Sequence, residues 1–396
     1  MSTTATEAAA DPFAGLQGHV RADGRVGLRN HLLILSAVAL TDRWAALVAA
    51  AFPGALLVTC AFQRGLRGND AARAEAVIAA LATHPNTGAA LVLTMDAPAA
   101  RALAARLAGG DSPAACLALL EQDGMEGAVQ AACAVARDLD ARRRIAQPQP
   151  VGPGALALAL ECGGSDPTSA LAANPAIGVL VDRVVAAGGT AIASETVEFI
   201  GAEGVVAPRC PDPVQRDRML AAIARREGWH RDDGVDYRGT NPTPENIAGG
   251  LTTLVEKSLG AVVKTGQGPF AGALDFAEAP PRPGLYFMDT PFFTPASLTG
   301  MVAAGCNAVL FALGQFNPSA SPMAPTLKVC GNPGTLARWG GSLDVDLCDL
   351  VTGAADAGDG ADRIARALVR VSAGEATASE RWGEGQVIVP TTVEPL

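Results

Sequence analysis

Short apolar runs suited to buried strands alternate, from residue 31 onward, with longer stretches whose apolar residues recur at helical spacing. The strand-like runs cover residues 31–40, 55–60, 89–95 and 114–120, and the helix-like stretches cover 42–51, 69–82, 97–107 and 125–144. Alternation of this kind predicts parallel strands joined by crossover helices. Pro148, Pro150 and Pro153 then interrupt it and mark a linker.

Beyond the linker, four apolar runs end abruptly in small or polar residues. Residues 154–161 lead into Cys162, Gly163, Gly164, Ser165 and Asp166; residues 190–194 lead into Glu195 and Thr196. Residues 284–288 lead into Asp289 and Thr290, and residues 307–313 into Gly314 and Gln315. Open α/β sheets bind ligands outside the carboxyl ends of their strands, so these four ends are expected to converge on one cleft. The polar segment 232–246 predicts a long surface loop, and 247–260 a helix carrying Glu256 and Lys257. The chain therefore reads as an α/β protein of two lobes, with mostly parallel sheets flanked by helices in a Rossmann-like three-layer arrangement. Its expected parts are a mobile tail (1–17), an N-terminal lobe (18–146), a linker (147–153) and a C-terminal catalytic lobe (154–396).

Composition narrows the function. The 396 residues are 49% hydrophobic and 18% charged, enough apolar surface to fold throughout. A net charge of −10 argues against nucleic acid or an anionic membrane as partner, since both are recruited by clustered Lys and Arg. Eight cysteines include no CxxC pair, and four histidines show no i, i+4 spacing, which disfavours zinc and disulfide frameworks. No Walker A sequence is present, no secretory leader is recognisable, and apolar runs break before membrane-spanning length. A cytoplasmic enzyme acting on a small anionic molecule is the expectation.

Three constellations carry candidate chemistry. Residues 162–166 place two glycines and a helix start where backbone N–H groups can meet an anion; a tight turn capped by Asp166 is the plain alternative. Glu195 and Glu198 put carboxylates at a second strand end, where they can bind a hard metal or act as bases. An exposed helix-start role suits Glu198 better. Glu256 and Lys257 offer a lysine base or an enolate-stabilising cation, against the alternative of a solvated surface pair.

Taken in order, these segments resemble the altronate and galactarate dehydratase family. The resemblance runs through residues 18–30 (GHVRADGRVGLRN), 161–166 (ECGGSD), 173–175 (ANP), 194–196 (SET), 201–203 (GAE), Asn241, Pro242, Asn246, 249–253 (GGLTT), 256–260 (EKSLG), 287–291 (FMDTP), Thr299, Gly300 and 328–332 (KVCGN). It departs at residues 59–67 (TCAFQRGLR), where the family usually has His with Cys. It departs again at 93–96 (LTMD), where another Cys is usual, and at 314–316 (GQF), where a Gly-Arg-Gly run is usual. The related large subunits of sulfolactate sulfo-lyases are similar at Arg64 and at Gly314 with Gln315.

The resemblance implies a lyase that removes water from a sugar acid to give a 2-keto-3-deoxy acid, with carbon–sulfur cleavage and a non-catalytic binding role as alternatives. It implies a divalent metal, Fe2+ or Mn2+, with Cys162, Asp166, Glu195 and Cys60 as candidate ligands. Lys257 or a cleft carboxylate would take the α-proton, Glu256 would stand beside it, Lys264 or the metal would stabilise the enolate, and Asp289 would assist the leaving group. Arg29, Asn30, Arg64, Ser165, Thr196, Thr290 and Gln315 are the candidate substrate contacts. Family members also use a small N-terminal domain or a separate small subunit. Because the family-like sequence begins at Gly18 here, the resemblance implies either a separate small subunit or a reaction that dispenses with one, together with homo-oligomerisation.

Overall fold

A computed structural model of the protein describes residues 11–59, 64–110, 112–232 and 241–392, the side chains of 230–232 excepted. Strands β1 (Gln17–Val20), β2 (Val26–Gly27), β3 (His31–Ser36), β4 (Leu56–Thr59), β5 (Thr87–Thr94), β6 (Ala114–Ala118) and β7 (Gln149–Pro150) come from the first part of the chain. β4-β3-β5-β6 form a four-stranded, fully parallel sheet. Side chains of a strand alternate between its faces, and β3 shows the result. Leu32 and Ile34 pack with Trp44, Val48, Ala128 and Ala132 from the helices Asp42–Ala50 and Gly124–Arg143. Leu33 and Leu35 pack on the other face with Val77, Leu81 and Leu103 from the helices Gly68–Ala82 and Ala97–Leu107. Helices on both faces explain why the strand runs are almost wholly apolar.

The second sheet contains β8 (Ala157–Gly163), β9 (Thr190–Ala193), β10 (Phe270–Leu274), β11 (Gly284–Met288), β12 (Ala308–Leu313), β13 (Thr326–Cys330) and β14 (Val345–Asp346). All seven are parallel, in the order β10-β11-β9-β8-β12-β13-β14. One face packs the helices Asn174–Ala186 and Ala357–Ser372 through Ile177, Leu180, Ile364 and Leu368. The other face packs the helix Thr294–Ala303, whose Leu298, Met301 and Val302 share one apolar cluster with Val77 and Leu81 of the first lobe. The lobes are thus joined by a continuous core, in which each fully buried Leu, Val or Ile contributes about 1.5–3 kcal/mol. Asn86 adds polar ties across the join, donating to the carbonyls of Asn307 and Met323 and accepting from the N–H of Leu28.

Several expectations change. The supposed mobile tail is packed at its end: Phe13 and Leu16 are buried in the C-terminal core, and the Gln17 N–H donates to Ser372 Oγ at 3.0 Å. The linker contributes β7, which pairs antiparallel with β1. The predicted helix 247–260 is broken into Pro244–Ala248 and Leu254–Val262. Gly250 takes φ +110° between them, and Thr253 caps the second piece through its side chain. The predicted loop 232–246 yields at its start to a helix, Pro213–Asp232, and at its end to Pro244–Ala248; residues 233–240 lie outside the described residues. One described helical stretch, Ser169–Ala186, is long and apolar enough by composition to cross a membrane, but 56% of it is buried inside the protein as a core element.

Candidate active site

The carboxyl ends of β8 and β12 lie side by side, and the Gln315 N–H donates to the Gly164 carbonyl at 2.7 Å. Gly164 has φ +58°, and a Cβ there would meet the Gln315 carbonyl oxygen at 2.4 Å, so only glycine permits this approach. With the end of β9 they border a cleft of about 360 Å³. Cys162, Ser165, Glu195, Lys257, Phe292 and Gln315 are among its walls. The strand-end expectation thus brings Cys162, Ser165, Glu195 and Gln315 to one place, and the helix Leu254–Val262 adds Lys257.

Glu195 is the most unusual of these residues. It is 2% exposed and holds a left-handed backbone, φ 58° and ψ 78°, which is costly for a side chain other than glycine and concentrates at functional sites. Burial, followed by repulsion from Glu161 and Glu198, drives its carboxyl well above the ordinary range, against the attraction of Lys257 and Lys264. Thr294 Oγ1 donates to Glu195 Oε1 at 3.3 Å. Lys257 is likewise buried; its Nζ donates to Asn241 Oδ1 at 2.8 Å and lies 4.6 Å from the centre of the Phe292 ring.

Behind Cys162 lies a charged core that the sequence reading largely missed. Lys264 Nζ contacts Glu198 Oε2 at 2.6 Å and Cys162 Sγ at 3.2 Å, with both charged side chains about 1% exposed. Glu198 also accepts from Cys162 Sγ at 2.9 Å, so its expected place on an exposed helix start is corrected to an interior ion pair. Burial works to raise the Glu198 pKa, but Lys264 and then Lys257 outweigh it and hold the carboxyl low. Burial likewise opposes the Lys264 charge, yet Cys162, Glu198 and Glu161 raise its pKa overall. The Cys162 thiol is pushed up by burial and by Glu198. Glu161, fully buried, is raised to about 8 by burial and by Glu198. The available signal was a charge inside an apolar run: Glu161 ends the 154–161 strand pattern, and Lys264 follows Ala261, Val262 and Val263.

Other sequence candidates go elsewhere. Asp166 caps the turn after β8, accepting from Thr168 Oγ1, the Ser169 N–H and Asn332 Nδ2 at 2.6, 3.1 and 2.7 Å. Asp289 turns toward the helix Pro213–Asp232, where it pairs with Arg225 and Arg226 and accepts from Thr196 Oγ1, on a separate cavity of about 930 Å³. Thr196 and Thr290 are fully buried and not in the cleft wall. Glu256 is exposed and accepts from the Thr252 N–H at the helix start. Arg29 and Asn30 lie at the amino end of β3. There Arg29 pairs with Glu380 at 2.7 Å and Asn30 bonds Arg21 and the Arg143 carbonyl, so both brace the fold and do not clamp an anion. The Arg64 side chain is 63% exposed and pairs with Asp96 at 3.3 Å. Cys60 lies outside the described residues.

A divalent metal does not fit the donors in view. Among the described residues no group of three or more His, Cys, Asp or Glu side chains is placed to hold one. The Lys264 ammonium sits against Cys162 Sγ, and both Asp166 oxygens accept protein hydrogen bonds.

Comparison with known proteins gives this arrangement a family. Residues 18–142 match "D-galactarate dehydratase/Altronate hydrolase, second domain", and residues 154–394 match "D-galactarate/Altronate dehydratase, C-terminal". The chain is 30% identical over 379 residues to (2R)-sulfolactate sulfo-lyase subunit beta of Chromohalobacter salexigens, covering 95% of this chain and 97% of that one. It is 29% identical over 351 residues to altronate dehydratase of Escherichia coli, covering 86% and 70%. It is also 29% identical over 229 residues to galactarate dehydratase (L-threo-forming) of Escherichia coli, covering 58% and 44%. With both family regions matched in order along the chain, the chain belongs to the D-galactarate/altronate dehydratase family.

Proposed function

We propose that the protein is a hydro-lyase that removes water from a sugar acid or related hydroxy acid to give a 2-keto-3-deoxy acid. The observation that carries the reading is that a buried carboxyl group, Glu195, and a buried lysine, Lys257, line one small cleft at the strand ends. The Lys257 ammonium pairs with the substrate carboxylate and with the negative charge that builds on it as the α C–H bond breaks. Glu195 takes that proton, and the C–H electron pair becomes the Cα=Cβ bond. The Cβ–O bond breaks, and the departing hydroxide takes the proton from Glu195 and leaves as water. The enol then tautomerises to the keto acid. A desolvated carboxylate is the stronger base for the first step, and its conjugate acid stands ready for the second.

The near full-length match to a sulfo-lyase subunit beta is the ground for a second reading, in which sulfite leaves in place of hydroxide. That relative's name, a subunit beta, also supports a companion subunit for this chain. The test is a panel of hydroxy acids and sulfonated hydroxy acids, assayed for keto acid and for free sulfite, with and without a candidate small subunit. Keto acid from hydroxy acids without sulfite is the expected result. Sulfite release would establish the second reading, and no turnover on either set would overturn both and leave a binding role.

A further inference from the structure

We propose that Thr290 and Ser297, anchored on the buried Glu161 carboxyl group, hold the Glu195 backbone in its left-handed turn and thereby aim the Glu195 side chain into the cleft. The proposal rests on the reading of Glu195 as the proton carrier. The Glu195 N–H donates to Thr290 Oγ1 at 2.8 Å, the Thr290 hydroxyl donates to Ser297 Oγ at 3.3 Å, and the Ser297 hydroxyl donates to Glu161 Oε2 at 2.7 Å. Ser194 Oγ closes against Ser297 Oγ, and the Cys162 N–H donates to Glu161 Oε1 at 3.2 Å. Thr290, Ser297, Ser194 and Glu161 are all 0% exposed and none lines the cleft. Each hydroxyl in the series has one proton to give, and Thr290 and Ser297 both pass it toward Glu161.

A fully buried row of hydroxyls ending on the Glu161 carboxyl group satisfies this one backbone N–H, and that N–H belongs to Glu195, the non-glycine residue of the described site that holds a left-handed backbone. Left-handed conformations at residues other than glycine persist only when surrounding contacts over-determine them. The contacts here come from three elements: Thr290 follows β11, Ser297 lies on the helix Thr294–Ala303, and Glu161 lies on β8. Thr290 and Ser297 are therefore positioning residues, acting through Glu195 without touching substrate. The charged or titratable groups around Glu195 are Glu161, Glu198, Lys257 and Lys264, with Cys162 beside the last of these.

The test compares Thr290→Val, which keeps the shape and removes the hydroxyl, with Thr290→Ser, which keeps the hydroxyl. Ser297→Ala breaks the series one link further on and serves if Thr290→Val does not fold. Misplacing a reacting group by about 1 Å costs about 10²-fold in rate, so Thr290→Val should lose about that much in kcat with KM unchanged, and Thr290→Ser should recover most of it. A crystal structure of Thr290→Val should show Glu195 leaving positive φ. Wild-type kcat in Thr290→Val and Ser297→Ala, or a positive Glu195 φ in Thr290→Val, would overturn the proposal. If Glu195→Gln itself proves active, the proton-carrier reading fails, whereas the φ of Glu195 in Thr290→Val still decides the positioning role.

Discussion

Glu195→Gln should lower kcat by about 10³-fold while leaving KM and thermal stability close to those of the parent protein. The amide keeps the shape and the acceptor for Thr294 Oγ1 but can neither take nor return a proton. Stability should hold because the substitution removes a carboxyl whose ionised form burial disfavours. The same burial sets the pH dependence. The ionised form performs the first step, and its pKa is raised, so kcat/KM should climb with pH along an acid limb lying above the usual carboxylate range. In Glu195→Gln that limb should vanish with the activity. Steady-state assays across pH on a substrate found by the acid panel check both expectations.

The largest effect on stability should come from Lys264→Met. That change leaves Glu198, about 1% exposed, without its partner at 2.6 Å, and breaking one side of a buried pair typically costs about 3–5 kcal/mol. The pH dependence follows from the two shifts. Glu198 is lowered, so its contribution is present above its unfolded pKa and is lost as pH falls through the folded value. Lys264 is raised, so its contribution is present below its unfolded pKa and is lost as pH rises through the folded value. The pair therefore stabilises the native protein fully across neutral pH. In Lys264→Met, acidification should shrink the deficit, because protonation neutralises the stranded carboxylate. Denaturant unfolding at neutral and mildly acidic pH measures this, and Glu198→Gln combined with Lys264→Met should recover part of the loss.

The fold was legible because its signals are local. Apolar runs bounded by helical periodicity marked β3, β5, β8, β11 and β12 to within a few residues, and parallel pairing followed from the alternation. The first run was read too long because apolar residues continue to Leu40, although the strand ends at Ser36 and a short turn of helix begins at Ala39. The helix 247–260 was read through Gly249 and Gly250 because its flanks share an apolar period that the glycine φ of Gly250 interrupts.

The site was legible only as far as strand order reaches. A strand end tells which residues arrive at the sheet edge, and that sufficed for Cys162, Ser165, Glu195 and Gln315. It does not tell which way each side chain turns. Asp289 arrives at the same edge yet faces Arg225 and Arg226 on the helix Pro213–Asp232, an element the apolar pattern had not revealed. Nor does sequence order show that Glu198 and Lys264 meet, since they are 66 positions apart. Arg29 illustrates the reverse error: a charged residue in a family-like segment can serve the fold, here through Glu380, 351 positions away.

The central claim is that the chemistry belongs to the Glu195 and Lys257 cleft and not to the cavity beside Asp289. Keto-acid formation by Glu195→Gln and Asp289→Asn, assayed side by side on the substrate the panel identifies, tests it most directly. The account predicts keto-acid formation lowered about 10³-fold in Glu195→Gln and turnover at the parent rate from Asp289→Asn. An active Glu195→Gln beside an inactive Asp289→Asn would contradict it and move the reaction to the other cavity.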